Sequence, residues 1–148
     1  MKIAIASDHA GFEMKEKAKS FLKKIGHEHK DFGTEDKKPV DYPDFALKVA
    51  NAVSKNECER GILFCGTGLG MSIVANKIPG VRAVLCYDIK TAKLSREHND
   101  ANVLTLGARI IEFEKAKDII NVWLETGFLG ERHSKRIEKI KEIEKKAR

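Results

Sequence analysis

Short apolar runs alternate with amphipathic segments along this chain, and the alternation constrains its fold more than any other feature. The strongest runs are KIAIAS (2–7), RGILFC (60–65), VRAVLCY (81–87) and NVLTLG (102–107), with a weaker one in EHKDFG (28–33). The segments between them place apolar residues at helical spacing. This pattern predicts an α/β fold, namely a Rossmann-like, doubly wound sheet of about five parallel strands with helices on both faces.

The segments between the runs carry signals for helix starts and ends. Gly26 ends the first predicted helix, Asp41 or Tyr42 begins the second, and Pro79 closes a short third helix over 71–78. Further helices are predicted before and after the last apolar run. Ligands in such folds gather beyond the carboxyl ends of the strands, so residues that directly follow a strand are candidates for a site.

A C-terminal helix with a narrow apolar stripe is predicted to follow the sheet. The stripe consists of Ile137, Ile140, Ile143 and Ala147, which is too thin for a helix that lies on a sheet. Such a seam is typical of packing along another helix or a partner subunit, but an amphipathic tail on its own domain would show it too.

Length, cysteine content and charge narrow the class of protein. The 148 residues are expected to form one domain (1–148), with no apolar run near the ~20 residues of a membrane span and no signal-peptide pattern. Three cysteines without a CxxC pair predict reduced thiols in the cytoplasm. The net charge of +6 can attract anions, but with only 7% aromatic residues nucleic acid is not the expected partner.

The stretch FCGTGLGMS (64–72) places a cysteine directly before a glycine-rich turn. It does not fit a dinucleotide fingerprint, because the third glycine would fall on Met71, nor a P-loop, because no Gly-Lys-Ser/Thr follows. What remains is a turn whose backbone amides can bind an anion. Those amides would favour the thiolate of Cys65, but the motif alone leaves open whether this cysteine is reactive or inert. Thr67 adds a hydroxyl to the same turn.

Further polar residues stand near the ends of other predicted elements. Asp8 and His9 follow the first strand, where Asp8 could simply cap a helix, while His98 and Asn99 precede the last strand in what could be a polar turn. The first pair therefore lies at the same sheet edge as Cys65, and the second pair at the opposite edge, about 17 Å away. If all of them act in one site, His98 and Asn99 must come from another subunit.

Arg132 and Arg136 are four residues apart on the predicted C-terminal helix and fall on one face. Two guanidinium groups on one face suit a phosphate, which each can bind through paired hydrogen bonds. A charged tail that only faces water would show the same pair.

Several strings together resemble the ribose-5-phosphate isomerase B family, within the sugar-phosphate isomerases that include galactose-6-phosphate isomerase subunits. They are SDHAG, DYPD, CGTGLGMSIVANK, VRAV, SREHNDANVLTLGAR and GERHSKR, in the right order over nearly the whole chain. The resemblance implies interconversion of D-ribose 5-phosphate and D-ribulose 5-phosphate through an enediolate, without a metal or cofactor. It also implies a homodimer or tetramer with sites shared between subunits, which favours a C-terminal helix packed on a partner.

The resemblance implies a role for each candidate residue. Cys65 would be the base that moves the proton between C1 and C2, and Thr67 would assist proton transfer at the oxygens. His98 would open the furanose ring as an acid, with Asp8 as its counterpart for the ring hydroxyl. The amides of Gly66, Gly68, Leu69 and Gly70 would stabilise the enediolate, while His9, Arg132 and Arg136 would bind the phosphate and Tyr42, Asn99 and Arg109 would complete the sugar contacts.

At two positions this chain differs from residues that are common in the family. Some members use an acidic residue directly after the glycine turn as the base; here that position is Met71, so the role falls to Cys65. Relatives often carry a second glycine before Arg-His, where this chain has Glu131, which puts the geometry of that loop in question.

Two alternatives to a five-carbon isomerase stay open at this point. A six-carbon substrate such as allose 6-phosphate or galactose 6-phosphate involves the same chemistry. A non-catalytic nucleotide- or phosphate-binding module is the alternative of a different class.

Overall fold

Five parallel strands form the centre of the protein in the computed structural model, which describes residues 1–147. Their order across the sheet is β2-β1-β3-β5-β4. The chain reverses its winding direction between β1 and β3, so the crevice beyond the carboxyl ends of these two strands is where a ligand is expected. The strands are β1 (Lys2–Ser7), β2 (Glu28–Asp31), β3 (Arg60–Cys65), β4 (Ala83–Leu85) and β5 (Val103–Gly107).

Helices cover both faces of this sheet, as the sequence predicts. Within the described part of the chain they are α1 (Phe12–Lys24), α2 (Tyr42–Ser54), α3 (Leu69–Ala75), α4 (Ile89–Asn99), α5 (Phe113–Glu125) and α6 (Arg132–Lys146). Apolar residues of α1, α4 and α5 form one core with the sheet, and those of α2 and α3 form a second core on its other face. The predicted doubly wound α/β architecture is confirmed.

The interior strand β1 shows why the sheet can be covered on both sides. Ile3 and Ile5 point into the core with α1 and α5, while Ala4 and Ala6 point into the core with α2. All four side chains are fully buried, so the strand reads as a continuous apolar run instead of an alternating one. Burial of each isoleucine is worth about 1.5–3 kcal/mol.

The edge strand β4 is shorter than the sequence predicts. Its apolar run covers 81–87, but only Ala83–Leu85 pair, because a strand at the sheet edge has a single neighbour, here β5. On the other side, the Asn76 side chain donates to the Ala83 carbonyl (2.9 Å) and accepts from its N–H (2.8 Å). Asn76 therefore satisfies the open edge, and it directly follows α3, which ends at Ala75 and not at 78 as predicted.

The C-terminal helix α6 lies against α4 and uses only part of its apolar stripe within the chain. Ile137 is 4% exposed, whereas Ile140 and Ile143 are 44% and 67% exposed. Packing of this outer part of the stripe on a partner subunit stays a prediction. Among residues 1–147 no helix combines the length and the apolar character that crossing a membrane requires.

A buried lysine fixes the segment that follows β2. Lys15 on α1 is 1% exposed, and its ammonium group donates to the Asp31 carboxylate (2.8 Å) and to the Thr34 carbonyl (2.6 Å). Burial pushes the pKa of Asp31 upward, but hydrogen bonds from Lys15, from Lys19 and from the Gly33 N–H outweigh it and hold this pKa below its ordinary value. The network joins α1, β2 and the loop that leads to α2.

Replacing Lys15 with Met should lower the free energy of unfolding by about 1–3 kcal/mol, because the Thr34 carbonyl loses its charged donor. The folded pKa of Asp31 is depressed, so its contribution is present above the ordinary value of 3.8 and is lost as the pH falls through the folded pKa. Urea unfolding at pH 7 and between pH 5 and 2 should show that the free energy of unfolding falls less on acidification in Lys15→Met than in the wild type. Lys23→Met, at an exposed position of α1, is the control. An equal decrease in the free energy of unfolding at pH 7 in both variants would contradict the prediction.

Candidate active site

The sulfur of Cys65 lies at the carboxyl end of β3 and accepts a hydrogen bond from the turn that follows it. The Gly68 N–H donates to Cys65 Sγ over 3.0 Å. Gly68 adopts φ +82°, a left-handed conformation, and a Cβ there would lie 2.5 Å from Leu85. Glycine is therefore required at this position for the turn to close over the sulfur.

The same turn presents backbone amides that the chain itself does not use. Within residues 1–147, the N–H groups of Gly66, Thr67 and Gly70 find no acceptor, and that of Leu69 reaches only the Thr67 hydroxyl, at 3.2 Å. Thr67 and Leu69 are exposed, so these groups can meet a ligand. Successive free N–H groups are suited to binding a negatively charged oxygen.

Asp8 and His9 lie at the same edge, after β1. Asp8 is buried, and its carboxylate accepts from the Gly11 N–H (3.1 Å), so it closes the turn before α1, whose N-cap is Gly11. The His9 Nδ1 accepts from the Val40 N–H at 3.1 Å. This bond leaves Nε2 as the nitrogen of His9 that can donate to a ligand.

Tyr42 and Arg109 flank the glycine turn. The ring of Tyr42 packs so closely on Gly70 that a Cβ there would collide with it. Arg109 follows β5, and its guanidinium would be 3.2 Å from a Cβ at Gly66. The structure thus brings Asp8, His9, Tyr42, Arg109 and the Cys65–Gly70 turn to one edge of the sheet.

A second cluster lies where α6 meets α4. The rings of His98 and His133 stack with their centroids 4.2 Å apart and their planes at 14°. Burial lowers the pKa of His133, and the nearby His98, Arg132 and Arg136 lower it further. Arg132 and Arg136 are exposed and line a cleft with Lys135 and Lys139, so this cluster is strongly cationic.

The register of the sheet separates the two clusters. Val103, at the start of β5, lies opposite Gly61, and Gly107, at its end, lies opposite Cys65. Four residues of strand span about 13 Å. His98 and Asn99 close α4 just before β5 begins, so they lie at the far edge from Cys65, as predicted. Arg132 and Arg136 lie with His98 and not with His9, which the sequence did not predict.

His133 is the clearest feature of this second cluster that sequence reasoning left without a role. It is 5% exposed although it follows Arg132 on a charged helix. Its position four residues before Ile137, the buried residue of the apolar stripe, is the signal that could have placed it on the inner face of α6.

Comparison with known proteins identifies the family. A family model described as Ribose/Galactose Isomerase matches residues 3–140. Ribose-5-phosphate isomerase B of Escherichia coli (strain K12) is 46% identical over 145 residues, which cover 98% of this chain and 97% of that protein. The chain belongs to the ribose/galactose isomerase family.

Two further relatives show how similar the structure is to a known one and that relatives are named for different sugar phosphates. The structure of ribose-5-phosphate isomerase B from Clostridium thermocellum superposes with a TM-score of 0.99 at 55% identity, over 100% of both chains. D-erythrulose-4-phosphate isomerase of Pectobacterium atrosepticum is 41% identical over 142 residues, covering 95% of this chain and 93% of that protein. The chain is an aldose–ketose isomerase of sugar phosphates, and the alternative of a non-catalytic binding module is set aside.

Glu131, where the family resemblance leads us to expect glycine, adopts φ +52° and ψ −126°. This region favours glycine, and the residue directly precedes Arg132 at the start of α6. The loop therefore keeps a glycine-like path although the residue is not glycine.

Glu131→Gly should raise the free energy of unfolding by about 1 kcal/mol, because relief of the strained backbone exceeds the added entropy of the unfolded chain. Glu131→Ala keeps the Cβ and should give no such gain. Thermal and urea unfolding of the two variants measure the difference. A gain of equal size in both would assign the effect to the lost carboxylate instead of the backbone.

Proposed function

We propose that this isomerase interconverts D-ribose 5-phosphate and D-ribulose 5-phosphate through an enediolate, with Cys65 as the base. The observation that carries the proposal is the sulfur of Cys65 beside free backbone amides at the β1–β3 crevice, with the Gly68 N–H on Sγ at 3.0 Å. Isomerisation beside a carbonyl needs a base, a group that stabilises the oxyanion and an acid. The first two meet at this turn.

The proton transfer requires a thiolate at Cys65. In the open-chain aldose, the sulfur takes the proton from C2, the C–H electrons form the C1–C2 double bond, and the carbonyl oxygen O1 becomes the oxyanion. The proton on O2 then passes to O1 and the thiol returns its proton to C1, so that the C2 carbonyl forms and the ketose results. The hydroxyl of Thr67, which is exposed, would exchange protons between O1 and O2.

The backbone amides supply the electrostatic stabilisation. Charge on O1 and O2 appears only in the enediolate and in the transition states beside it, so fixed N–H groups lower the barrier more than they strengthen substrate binding. The N–H groups of Gly66, Thr67 and Gly70 have no acceptor among residues 1–147, so no internal hydrogen bond has to break before they act. This chemistry uses no metal or cofactor.

Ring opening and phosphate binding draw on the second cluster, and we place it in the neighbouring subunit. His98 would protonate the ring oxygen while Asp8 accepts the proton of the anomeric hydroxyl. His98, Arg132 and Arg136 lie together and about a strand length from Cys65. Binding of a second copy of the chain would place all three residues over the crevice together. Arg132 and Arg136 of that copy would then bind the phosphate with His9.

The remaining contacts would fix the sugar. Tyr42 and Arg109 flank the amide turn within one chain, and Asn99 would come with His98 from the partner. We place the enzyme in the cytoplasm as a homodimer or tetramer. The outer residues of α6, Ile140 and Ile143, are exposed and would pack on the partner.

The length of the sugar is the open choice within this mechanism. The Pectobacterium relative is named for a four-carbon sugar phosphate, and six-carbon phosphates involve the same proton transfer. Turnover of ribose 5-phosphate, allose 6-phosphate, galactose 6-phosphate and D-erythrulose 4-phosphate under one set of conditions decides it. If kcat/KM were highest for a sugar phosphate other than ribose 5-phosphate, that sugar phosphate would replace the proposed substrate. The proposed active site would stay the same.

Cys65→Ala should lower kcat for ribose 5-phosphate about 10²- to 10⁴-fold in the presence of EDTA, because the base is gone. Binding of a non-reacting sugar phosphate should change little. Cys58→Ala is the matched control, because Cys58 is also a buried free thiol but precedes β3 at its amino end. Wild-type turnover in Cys65→Ala would remove the sulfur from the mechanism, and loss of wild-type activity in EDTA would contradict the metal-free reaction.

Mixing Cys65→Ala with His98→Ala subunits should restore activity if each site uses both edges. In a dimer that reassorts freely, half of the molecules are heterodimers with one intact site each, so about a quarter of wild-type activity returns. Mixing Cys65→Ala with Thr67→Ala is the control and restores nothing, because both changes affect the same edge. Verified heterodimers without activity in the first mixture would contradict a shared site.

A further inference from the structure

The four consecutive carbonyl groups of Cys65–Gly68 all accept hydrogen bonds from residues that lie in or directly after β4 and β5. The Cys65 and Gly66 carbonyls accept from the N–H groups of Ala108 (2.8 Å) and Arg109 (3.0 Å). These two bonds come from the backbone that follows β5 and would form with almost any sequence there.

The next two carbonyls are held by side-chain hydroxyls. The Tyr87 hydroxyl donates to the Thr67 carbonyl at 2.7 Å, and the Thr105 hydroxyl donates to the Gly68 carbonyl at 2.9 Å. The Gly68 carbonyl also accepts from the Ser72 N–H at 3.2 Å. Tyr87 follows β4 and Thr105 lies in the middle of β5, so two neighbouring strands fix this part of the turn.

The direction of a carbonyl determines the direction of the next amide. In a trans peptide the C=O and the following N–H point in opposite directions. A Thr67 carbonyl held by Tyr87 therefore turns the Gly68 N–H toward Cys65 Sγ, where it is observed. By the same rule, the hydroxyl of Thr105 fixes the direction of the Leu69 N–H, which lies on the exposed Thr67 hydroxyl at 3.2 Å.

Thr105 is conspicuous because of where it lies. It is 0% exposed within the otherwise apolar strand VLTLG (103–107), which is paired on both sides. A buried hydroxyl is costly unless it forms a hydrogen bond, and the Gly68 carbonyl is the partner it has. Valine would fill the same volume without that cost, so packing alone does not account for threonine.

We propose that Thr105 and Tyr87 are positioning residues that hold the Gly68 N–H on the sulfur of Cys65 and fix the Leu69 N–H beside the enediolate. The proposal rests on the function proposed above, since it concerns the same turn. Neither residue touches the sugar; both act through the peptide groups on either side of Gly68. Their effect should therefore appear in kcat more than in KM.

The test compares Thr105→Val, Thr105→Ser and Tyr87→Phe. Thr105→Val keeps the shape but loses the hydroxyl, and kcat should fall about 10- to 100-fold with little change in KM. Thr105→Ser restores the hydroxyl and should recover most of the activity. Tyr87→Phe removes the other anchor with little effect on folding and should lower kcat about 3- to 10-fold. Ser54→Ala is the control, since it removes a hydroxyl bond to the distant Pro79 carbonyl.

A second readout separates positioning from general damage. A hydroxamate analogue of the enediolate should bind wild type and Thr105→Ser tightly but Thr105→Val at least about 10-fold more weakly, while inorganic phosphate binds all three alike. Parallel losses of both ligands, or wild-type kcat in Thr105→Val and Tyr87→Phe, would overturn the proposal. If Cys65→Ala were active while Thr105→Val still lost the analogue, the base assignment would fail and the positioning role would stand.

Discussion

The pairing of β3 with β5 is the interaction on which the rest of the site depends. It sets Cys65 opposite Gly107, and the chain then leaves both strands at the same level. Gly107 has no side chain, so the Thr67 backbone can lie directly against it, where a Cβ would come within 2.5 Å of the Thr67 oxygen. The carbonyls of the turn are thus turned toward β5 and its N–H groups toward the crevice. A shift of this register by one residue would move Cys65 to the other face of the sheet.

The fold could be predicted well where local pattern and tertiary environment agree. β1 and β3 have the bounds that their apolar runs indicate, because both strands are buried on two faces. The prediction is too long at β4, where the side chain of Asn76 takes the place of a neighbouring strand. Nothing local to the run 81–87 signals a side chain that arrives from the end of the preceding helix.

The site could be predicted only as far as residue position determines sheet edge. Asp8, His9 and Cys65 lie at one edge because Asp8 and His9 follow β1 and Cys65 ends β3, and His98 lies at the other edge because it precedes β5. The stack of His98 on His133 depends on how α6 crosses α4, which the sequence of a charged helix does not reveal. The hydrogen bond from Thr105 to the Gly68 carbonyl is equally hard to predict, because the sequence of an apolar strand does not show which acceptor a single hydroxyl meets.

Under the proposed function, the separation of the two clusters also reduces electrostatic repulsion in the free chain. If Arg132 and Arg136 lay in the crevice beside Cys65 in the free chain, their charges would repel each other with less water between them while the sugar phosphate was absent. At the far edge Arg132 and Arg136 are exposed, and water screens the repulsion between them. On the proposed arrangement they meet the thiol only across a subunit boundary, where the phosphate of the substrate neutralises them. The cationic cluster would then contribute to substrate binding, while the amide turn, fixed within one chain, would stabilise the charge that forms during the reaction.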